Sequence, residues 1–177
     1  LQAQAGTDPH DPFSTAPITD LDSPLEQADL GSIRAIITPD LGSAAVSHAY
    51  SSIFADRTSH FRHHFAAAID ASPDFTDGDN CFEVLRGVNF VAAHGARVRD
   101  HRDSLSPNVV DNVDRGLAYS LADVAEAHLQ QSRIARAWLD LFEDIDVVIC
   151  PAASSTPFPH DQWSVSEIDG EAVETYM

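Results

Sequence analysis

The 177-residue sequence contains no lysine, and all ten of its basic residues are arginine. An arginine side chain stays protonated in proteins, whereas a buried lysine can be held in its neutral form. A neutral amine base, a Schiff base and a lysine-activated serine therefore cannot be built from these residues alone. Any chemistry that requires a lysine must be supplied from outside this sequence.

Cysteine is almost as scarce, since Cys81 and Cys150 are the only two. Two cysteines are too few for a disulfide framework, and they cannot form a structural zinc site by themselves. We predict two buried thiols in a cytoplasmic protein.

Positive charge is also sparse, because 28 acidic residues face ten basic ones and the formal net charge is -18. Such a surface repels nucleic acid and anionic membranes, so neither is expected as a partner. Long apolar runs are absent as well, and the first residues have neither the basic nor the apolar region of a signal peptide. A cytoplasmic location is the expectation.

Hydrophobic residues make up 44% of the sequence, as in globular proteins, and the length suits one domain. The sequence does not begin with methionine, and its opening reads as the middle of a domain. We expect a fragment or a processed chain.

Two short segments, residues 33–38 and 145–150, are apolar nearly throughout and are each followed by a proline. This pattern is typical of strands buried on both faces of a parallel or mixed sheet. Two strands do not make such a sheet. Either another part of the protein supplies the missing strands, or some short segments predicted as helices are in fact strands.

Helical periodicity dominates the residues between these strands. A first helix is predicted after a Ser47 cap, with an apolar face that continues through Phe65 and Ala68 towards Pro73. A break at Pro107 and Asn108 predicts that a short helix occupies residues 107–117. Two long helices are also predicted. The first opens with an Asn80–Glu83 capping box and buries Phe82, Leu85, Val88 and Ala92. The second opens with Ser120 and Asp123, and its predicted buried residues are Leu121, Val124, Ala127, Ile134, Trp138 and Leu141.

The segment PAASSTPFPHDQW, just after the second strand, holds a serine pair, His160 and Asp161. A catalytic triad requires three side chains that converge in space, and near neighbours on a proline-rich loop rarely do so. The sequence also has no Gly-x-Ser-x-Gly turn to expose a nucleophile. A loop that lines a pocket is the favoured interpretation.

Two further clusters have a functional and a structural interpretation. Asp56, His60 and His64 share one helix face and offer metal ligands. A solvated polar face is favoured because the opposite side carries Tyr50, Phe54 and Phe61 and no HExxH motif is present. Arginines 97, 99 and 102, with His101, form the one locally basic patch, for which ion pairing within the chain is favoured over an anion site.

Four phrases in order, AGTDPHDPFS, RAIITPDL, DIDVVICPAASSTPFPHDQW and IDGEAVETYM, resemble successive segments of amidase-signature hydrolases. The resemblance implies that residues 1–177 are the incomplete C-terminal portion of one such domain. It implies an α/β fold of mostly helices packed on a few strands of a mixed central sheet. It also implies hydrolysis of a carboxamide by a nucleophilic serine, with a second serine and a lysine relaying protons.

None of these catalytic residues can be matched here, because lysine is absent and Ser154–Ser155 lacks the flanking glycines of the family motif. The resemblance instead implies that Pro151, Ser154, Ser155 and Phe158 contact the substrate, with further lining from residues 88–92. The implied partner is a small amide, without cofactor or metal, and a homodimer is an assembly that the sequence permits. Two alternatives stay open: a non-catalytic helical interaction module, and a subunit of an amidotransferase.

Overall fold

The computed structural model describes residues 7–8, 10, 14, 27–162 and 164–173. The chain divides into two compact units, residues 1–30 and residues 31–177. In the first unit, the backbone N–H of Asp8 donates to the Ser14 hydroxyl at 2.8 Å. Most of the opening phrase AGTDPHDPFS lies outside the described residues, as do residues 174–177 of the closing phrase IDGEAVETYM.

Three parallel strands form the sheet of the second unit: β1 (Arg34–Ile37), β2 (Ala67–Asp70) and β3 (Val147–Ile149), in the order β2-β1-β3. The central strand β1 is the most deeply buried, with Ala35 at 0% exposure. The two apolar strands predicted from the sequence are therefore confirmed. A separate antiparallel hairpin joins β4 (Glu167–Ile168) to β5 (Glu171–Ala172) through a turn at Asp169 and Gly170.

Strand β2 corrects the prediction of one continuous helix up to Pro73. Helix α1 (His48–Phe61) does begin after the Ser47 cap, whose hydroxyl accepts from the N–H of Tyr50. It gives way to a single 3-10 turn at Arg62–His64, after which Phe65 is extended. The N–H of Ala66 then donates to the carbonyl of Ile33 at 2.9 Å. Residues 67–70 thus satisfy their backbone groups on β1, and β1 has a neighbour from within this chain on each side.

The helical layer contains α2 (Gly78–His101), α3 (Pro107–Ala118) and α4 (Leu121–Asp144), with α2 packed against both others. The predicted capping box of α4 is confirmed, because Ser120 and Asp123 bond reciprocally. The predicted capping box of α2 is wrong: that helix begins at Gly78, and the Asn80 amide donates to Gln130 of α4 instead.

The buried face of α2 also differs from the prediction. Its fully buried residues are Cys81, Val84, Gly87 and Val98, while Phe82 is 45% exposed and Ala92 is exposed. The predicted face is therefore rotated by about one residue. On α4, Ala127 is buried as predicted but Leu121 is 85% exposed.

Among the described residues, the longest helices are too polar for any of them to cross a lipid bilayer.

Candidate functional site at the carboxyl edge of the sheet

Three loops follow the carboxyl ends of the parallel strands: residues 38–47 after β1, residues 71–77 after β2 and residues 150–159 after β3. Ligands of open α/β sheets usually bind at this edge. The loops after β1 and β2 repeat one pattern, a hydroxyl residue followed by Pro and Asp, as Thr38-Pro39-Asp40 and Ser72-Pro73-Asp74. The edge is thus built from two loops that open with similar turns and from a third loop that lacks this pattern.

Thr38 links the end of β1 to the end of β3 and to the loop after β2. Its backbone N–H donates to the carbonyl of Ile149 at 3.0 Å, and its hydroxyl lies 2.9 Å from the hydroxyl of Ser72. The Thr38 side chain is fully buried. From the sequence, Thr38 was predicted only as the end of a strand, so this role was not expected.

The two aspartates shape the turns. The Asp40 carboxylate accepts from the N–H of Gly42 at 2.8 Å, and the Asp74 carboxylate accepts from the N–H of Thr76 at 2.9 Å. Hydrogen bonds from the Thr76 side chain and backbone hold the pKa of Asp74 below its ordinary value. A carboxylate two residues before its N–H donor is a common turn device, and these two were readable in the sequence as Pro-Asp pairs.

A cavity of about 320 Å³ lies between these two turns. Leu41, Gly42 and Ser43 line one side, and residues 73–79 line the other. Asp77, at the start of α2, pairs with Arg133 at 2.7 Å. This cavity was not predicted from the sequence.

The loop after β3 carries the four residues predicted to contact substrate. The carbonyl of Ser154 accepts from the N–H of Ser47 at 2.8 Å, which fastens the loop to the start of α1. Pro151 and Ser155 are half-buried, whereas Ser154 is exposed and Phe158 is 45% exposed. The four residues therefore lie on one open loop at the expected edge, and their contact with substrate stays a prediction.

Ser155 donates from its hydroxyl to the carbonyl of Thr156 at 3.3 Å. His160 and Asp161 are exposed and begin a turn in which the N–H of Gln162 bonds the carbonyl of Pro159. Within the described residues, no hydrogen bond joins either of them to the serine pair. The interpretation of the segment as a pocket-lining loop stays a prediction.

An apolar groove of about 580 Å³ adjoins the cavity, and the two share Phe75 and Gly78. It runs between α2 and α4, and the exposed ring of Phe82 forms part of it. Four residues of α2 were predicted to lie in the core, but two of them, Phe82 and Leu85, line this groove.

The two clusters of uncertain role are occupied by local contacts. His60 bonds through Nδ1 to the carbonyl of Asp56 at 2.6 Å, and the described ranges contain no group of three or more His, Cys, Asp or Glu placed to hold a metal ion. Arg99 pairs with Asp100, and Arg102 pairs with Asp114. Ion pairing within the chain, the favoured interpretation, applies to both arginines.

The prediction of two buried thiols is only half correct. Cys81 is buried against α4, where its thiol donates to the carbonyl of Ala127 at 3.3 Å. Cys150 is exposed, because β3 ends at Ile149 and the chain turns outward into the 150–159 loop.

Comparison with known proteins identifies the fold. No protein-family model matches the sequence, and no curated protein matches it either. Among solved structures, a bacterial aryl acylamidase of the amidase signature family is similar at a TM-score of 0.76, with 16% identity over 96% of this chain and 37% of that one. A second structure, an amidase, is similar at a TM-score of 0.67, with 16% identity over 81% of this chain and 32% of that one. The chain thus spans about a third of the length of the enzymes it matches. It has the α/β fold of part of an amidase-signature enzyme, as the resemblance in the sequence predicted.

Proposed function

We propose that this chain is the C-terminal portion of an amidase that hydrolyses a carboxamide to a carboxylate and ammonia or an amine. The likeness of its fold to two amidases is the observation that carries this proposal. The order in which its sequence phrases resemble the family supports the assignment to the C-terminal portion. The nucleophilic serine belongs to sequence upstream of Leu1.

Amide hydrolysis by a serine needs a base to take the hydroxyl proton and donors that stabilise the oxyanion. In the family mechanism a lysine is the base, and this chain has none. Of its own serine pair, the Ser155 hydroxyl donates to the backbone carbonyl of Thr156, and Ser154 accepts from the N–H of Ser47 through its backbone carbonyl. In this proposal the upstream part of the protein carries the catalytic residues, and this chain contributes part of the substrate-binding surface.

The loop of residues 151–159 is the binding surface that we assign to the substrate. It follows a strand at the carboxyl edge of the sheet, and the bond between Ser47 and Ser154 fixes its middle. A half-exposed phenylalanine, Phe158, offers an apolar contact to the acyl or aryl part of an amide. Pro151 and Ser155 are the half-buried residues that support it.

The test uses the complete protein that contains this chain, together with the 177-residue chain alone. We expect the complete protein to hydrolyse members of a panel of aryl and alkyl carboxamides, and a fluorophosphonate to label a serine outside these residues. Phe158→Ala should raise KM for aryl amides with a smaller change in kcat, while Phe61→Ala, remote from the edge, serves as the control. Labelling of Ser154 or Ser155, or hydrolysis by the chain alone, would refute the proposal.

A helical interaction module is the second candidate, and the outer surface of α4 favours it. Leu121, Leu129 and Leu139 on this helix are 85%, 61% and 69% exposed. Such leucines are typical of a surface that another polypeptide covers. A self-contained module should elute as a monomer and melt in one cooperative transition, whereas a domain fragment should aggregate or melt without cooperativity. Size-exclusion chromatography with a thermal melt separates the two.

A further inference from the structure

Two neighbouring N–H groups at the start of α1 hold two distant parts of the chain. The N–H of Ser47 donates to the carbonyl of Ser154, in the loop after β3, at 2.8 Å. The N–H of the next residue, His48, donates to the carboxylate of Asp169 at 2.5 Å. Asp169 belongs to the turn of the β4–β5 hairpin. The stretch from Ser154 to Asp169, which we call the closed loop, is therefore fastened at both ends to the same place on α1.

Asp169 suits this contact through both its backbone and its charge. Asp169 and Gly170 have φ values of +52° and +89°, the pattern of a type I′ hairpin turn, in which Asp-Gly is a preferred pair. The first N–H groups of a helix have no partner within that helix, and the first turn of α1 contains no acidic residue. The Asp169 carboxylate supplies an acceptor to one of these groups and a negative charge near the positive end of the helix.

The hairpin depends on this contact because little else holds it. Its strand residues are exposed or half-buried, and a single two-stranded hairpin is marginally stable in water. Within the described part of the chain, no other hydrogen bond or ion pair joins residues 167–172 to a helix. The His48 ring also approaches Asp169, at 3.2 Å, but this side chain is 91% exposed, so we assign the fastening to the backbone N–H.

We propose that Asp169 is a positioning residue for the substrate: it fixes the far end of the closed loop on α1 and so keeps Phe158 in place at the carboxyl edge of the sheet. Asp169 acts through the loop and does not itself touch the substrate. A segment fastened at one end only samples more conformations, and ordering it on binding costs part of the affinity. The kinetic part of this inference rests on the proposed amidase function, which assigns Phe158 to the acyl or aryl group.

The test uses the complete protein that contains this chain, with three substitutions in the hairpin. Asp169→Gly removes the carboxylate and keeps a residue that accepts positive φ, so the turn is preserved. Asp169→Asn keeps a suitable turn residue and an oxygen that can accept from the N–H of His48. Glu171→Gln is the matched control, because it removes a negative charge from an exposed position of β5 that takes no part in the contact.

Hydrogen exchange measures the fastening independently of catalysis. The N–H groups of Gln162 and Val173 bond to carbonyls within the closed loop and therefore report on its order. Asp169→Gly should speed their exchange at least about tenfold, because a hydrogen bond to a charged acceptor is lost. Asp169→Asn should have a smaller effect, and Glu171→Gln should have none. Equal exchange in Asp169→Gly and Glu171→Gln would overturn the proposal.

Kinetics measure the positioning. Asp169→Gly should raise KM for aryl amides about threefold to tenfold with a smaller change in kcat, and Asp169→Asn should restore most of the wild-type KM. In a Phe158→Ala background, Asp169→Gly should have little further effect, because the ring that the loop positions is already gone. Additive effects of these two substitutions, or an unchanged KM in Asp169→Gly, would overturn the positioning role. An absence of hydrolysis by the wild type would refute the proposed function instead, and hydrogen exchange alone would then decide whether Asp169 fastens the loop.

Discussion

The backbones of Gly87 in α2 and Gly116 in α3 lie in direct contact. A Cβ added to Gly87 would stand 2.9 Å from the Cα of Gly116, and one added to Gly116 would collide with the carbonyl of Gly87 and the side chain of Val91. Both glycines are buried. The two helices therefore approach each other at this crossing more closely than a Cβ on either residue would allow.

Gly116→Ala is predicted to destabilise the chain by about 1–3 kcal/mol, because overpacking outweighs the helix propensity gained by alanine. Gly95→Ala in α2 is the matched control. Its nearest neighbour beyond the helix backbone would be 3.7 Å from an added Cβ, so this substitution should be neutral or stabilising by up to about 1 kcal/mol. Urea denaturation of the complete protein that contains this chain, carrying each substitution in turn, measures the difference. Equal stability of the two would mean that the helices do not cross at Gly116.

The same contact explains why the buried face of α2 could not be predicted. Helical periodicity identifies the core side of a helix from its large apolar residues. Phe82 and Leu85 therefore led to the wrong predicted face. The real core face includes Gly87, which has no side chain and so adds nothing to that pattern. The apolar residues left on the other side form the groove, and the long helices themselves were predictable from their length and periodicity.

The sheet shows the same division between local and long-range information. Strands β1 and β3 were predictable because each is a short β-branched run that a proline follows closely, at Pro39 and Pro151. Strand β2 has the sequence AAID, which carries no strand signal, and it forms because its backbone groups pair with β1. The position of the 151–159 loop followed from β3, whereas the cavity depended on β2 and was missed.

Asp146 is predicted to make the stability of the chain sensitive to acid. Hydrogen bonds from Arg34, first from its backbone N–H at 2.7 Å and then from its guanidinium at 3.3 Å, hold the pKa of Asp146 below its ordinary value. A carboxylate with a lowered pKa in the folded state contributes stability above its unfolded pKa of about 4, and this is lost as the pH falls through the folded pKa.

The free energy of unfolding should therefore fall more steeply for the wild type than for Asp146→Asn between about pH 6 and about pH 3. Asp140→Asn, at an exposed position of α4, is the control and should follow the wild-type curve. Parallel curves for the wild type and Asp146→Asn would show that the link between the amino ends of β1 and β3 does not depend on the Asp146 charge.

The two cysteines are predicted to differ sharply in reactivity. Burial raises the pKa of the Cys81 thiol, and a thiolate is the reactive form, whereas Cys150 is exposed after β3. With a chromogenic disulfide reagent at about pH 8, one thiol per chain should react at once and the second at least about 100-fold more slowly. Cys150→Ser should remove the fast phase and leave the slow one. Two fast thiols in the folded wild type would contradict the packing of Cys81 against α4.

The hydroxyl pair of Thr38 and Ser72 provides an asymmetric test of how the strand ends are joined. Thr38 is fully buried and Ser72 is exposed, so Ser72→Ala leaves a buried hydroxyl without this partner, whereas Thr38→Val leaves a hydroxyl that water can reach. Ser72→Ala should therefore cost about 1–3 kcal/mol and Thr38→Val less, and the double variant should be more stable than the sum of the two losses predicts. Ser52→Ala, an exposed serine of α1, should be near neutral. Additive losses in this cycle would mean that the two hydroxyls do not interact, and that the first two loops of the carboxyl edge are held only by their backbones.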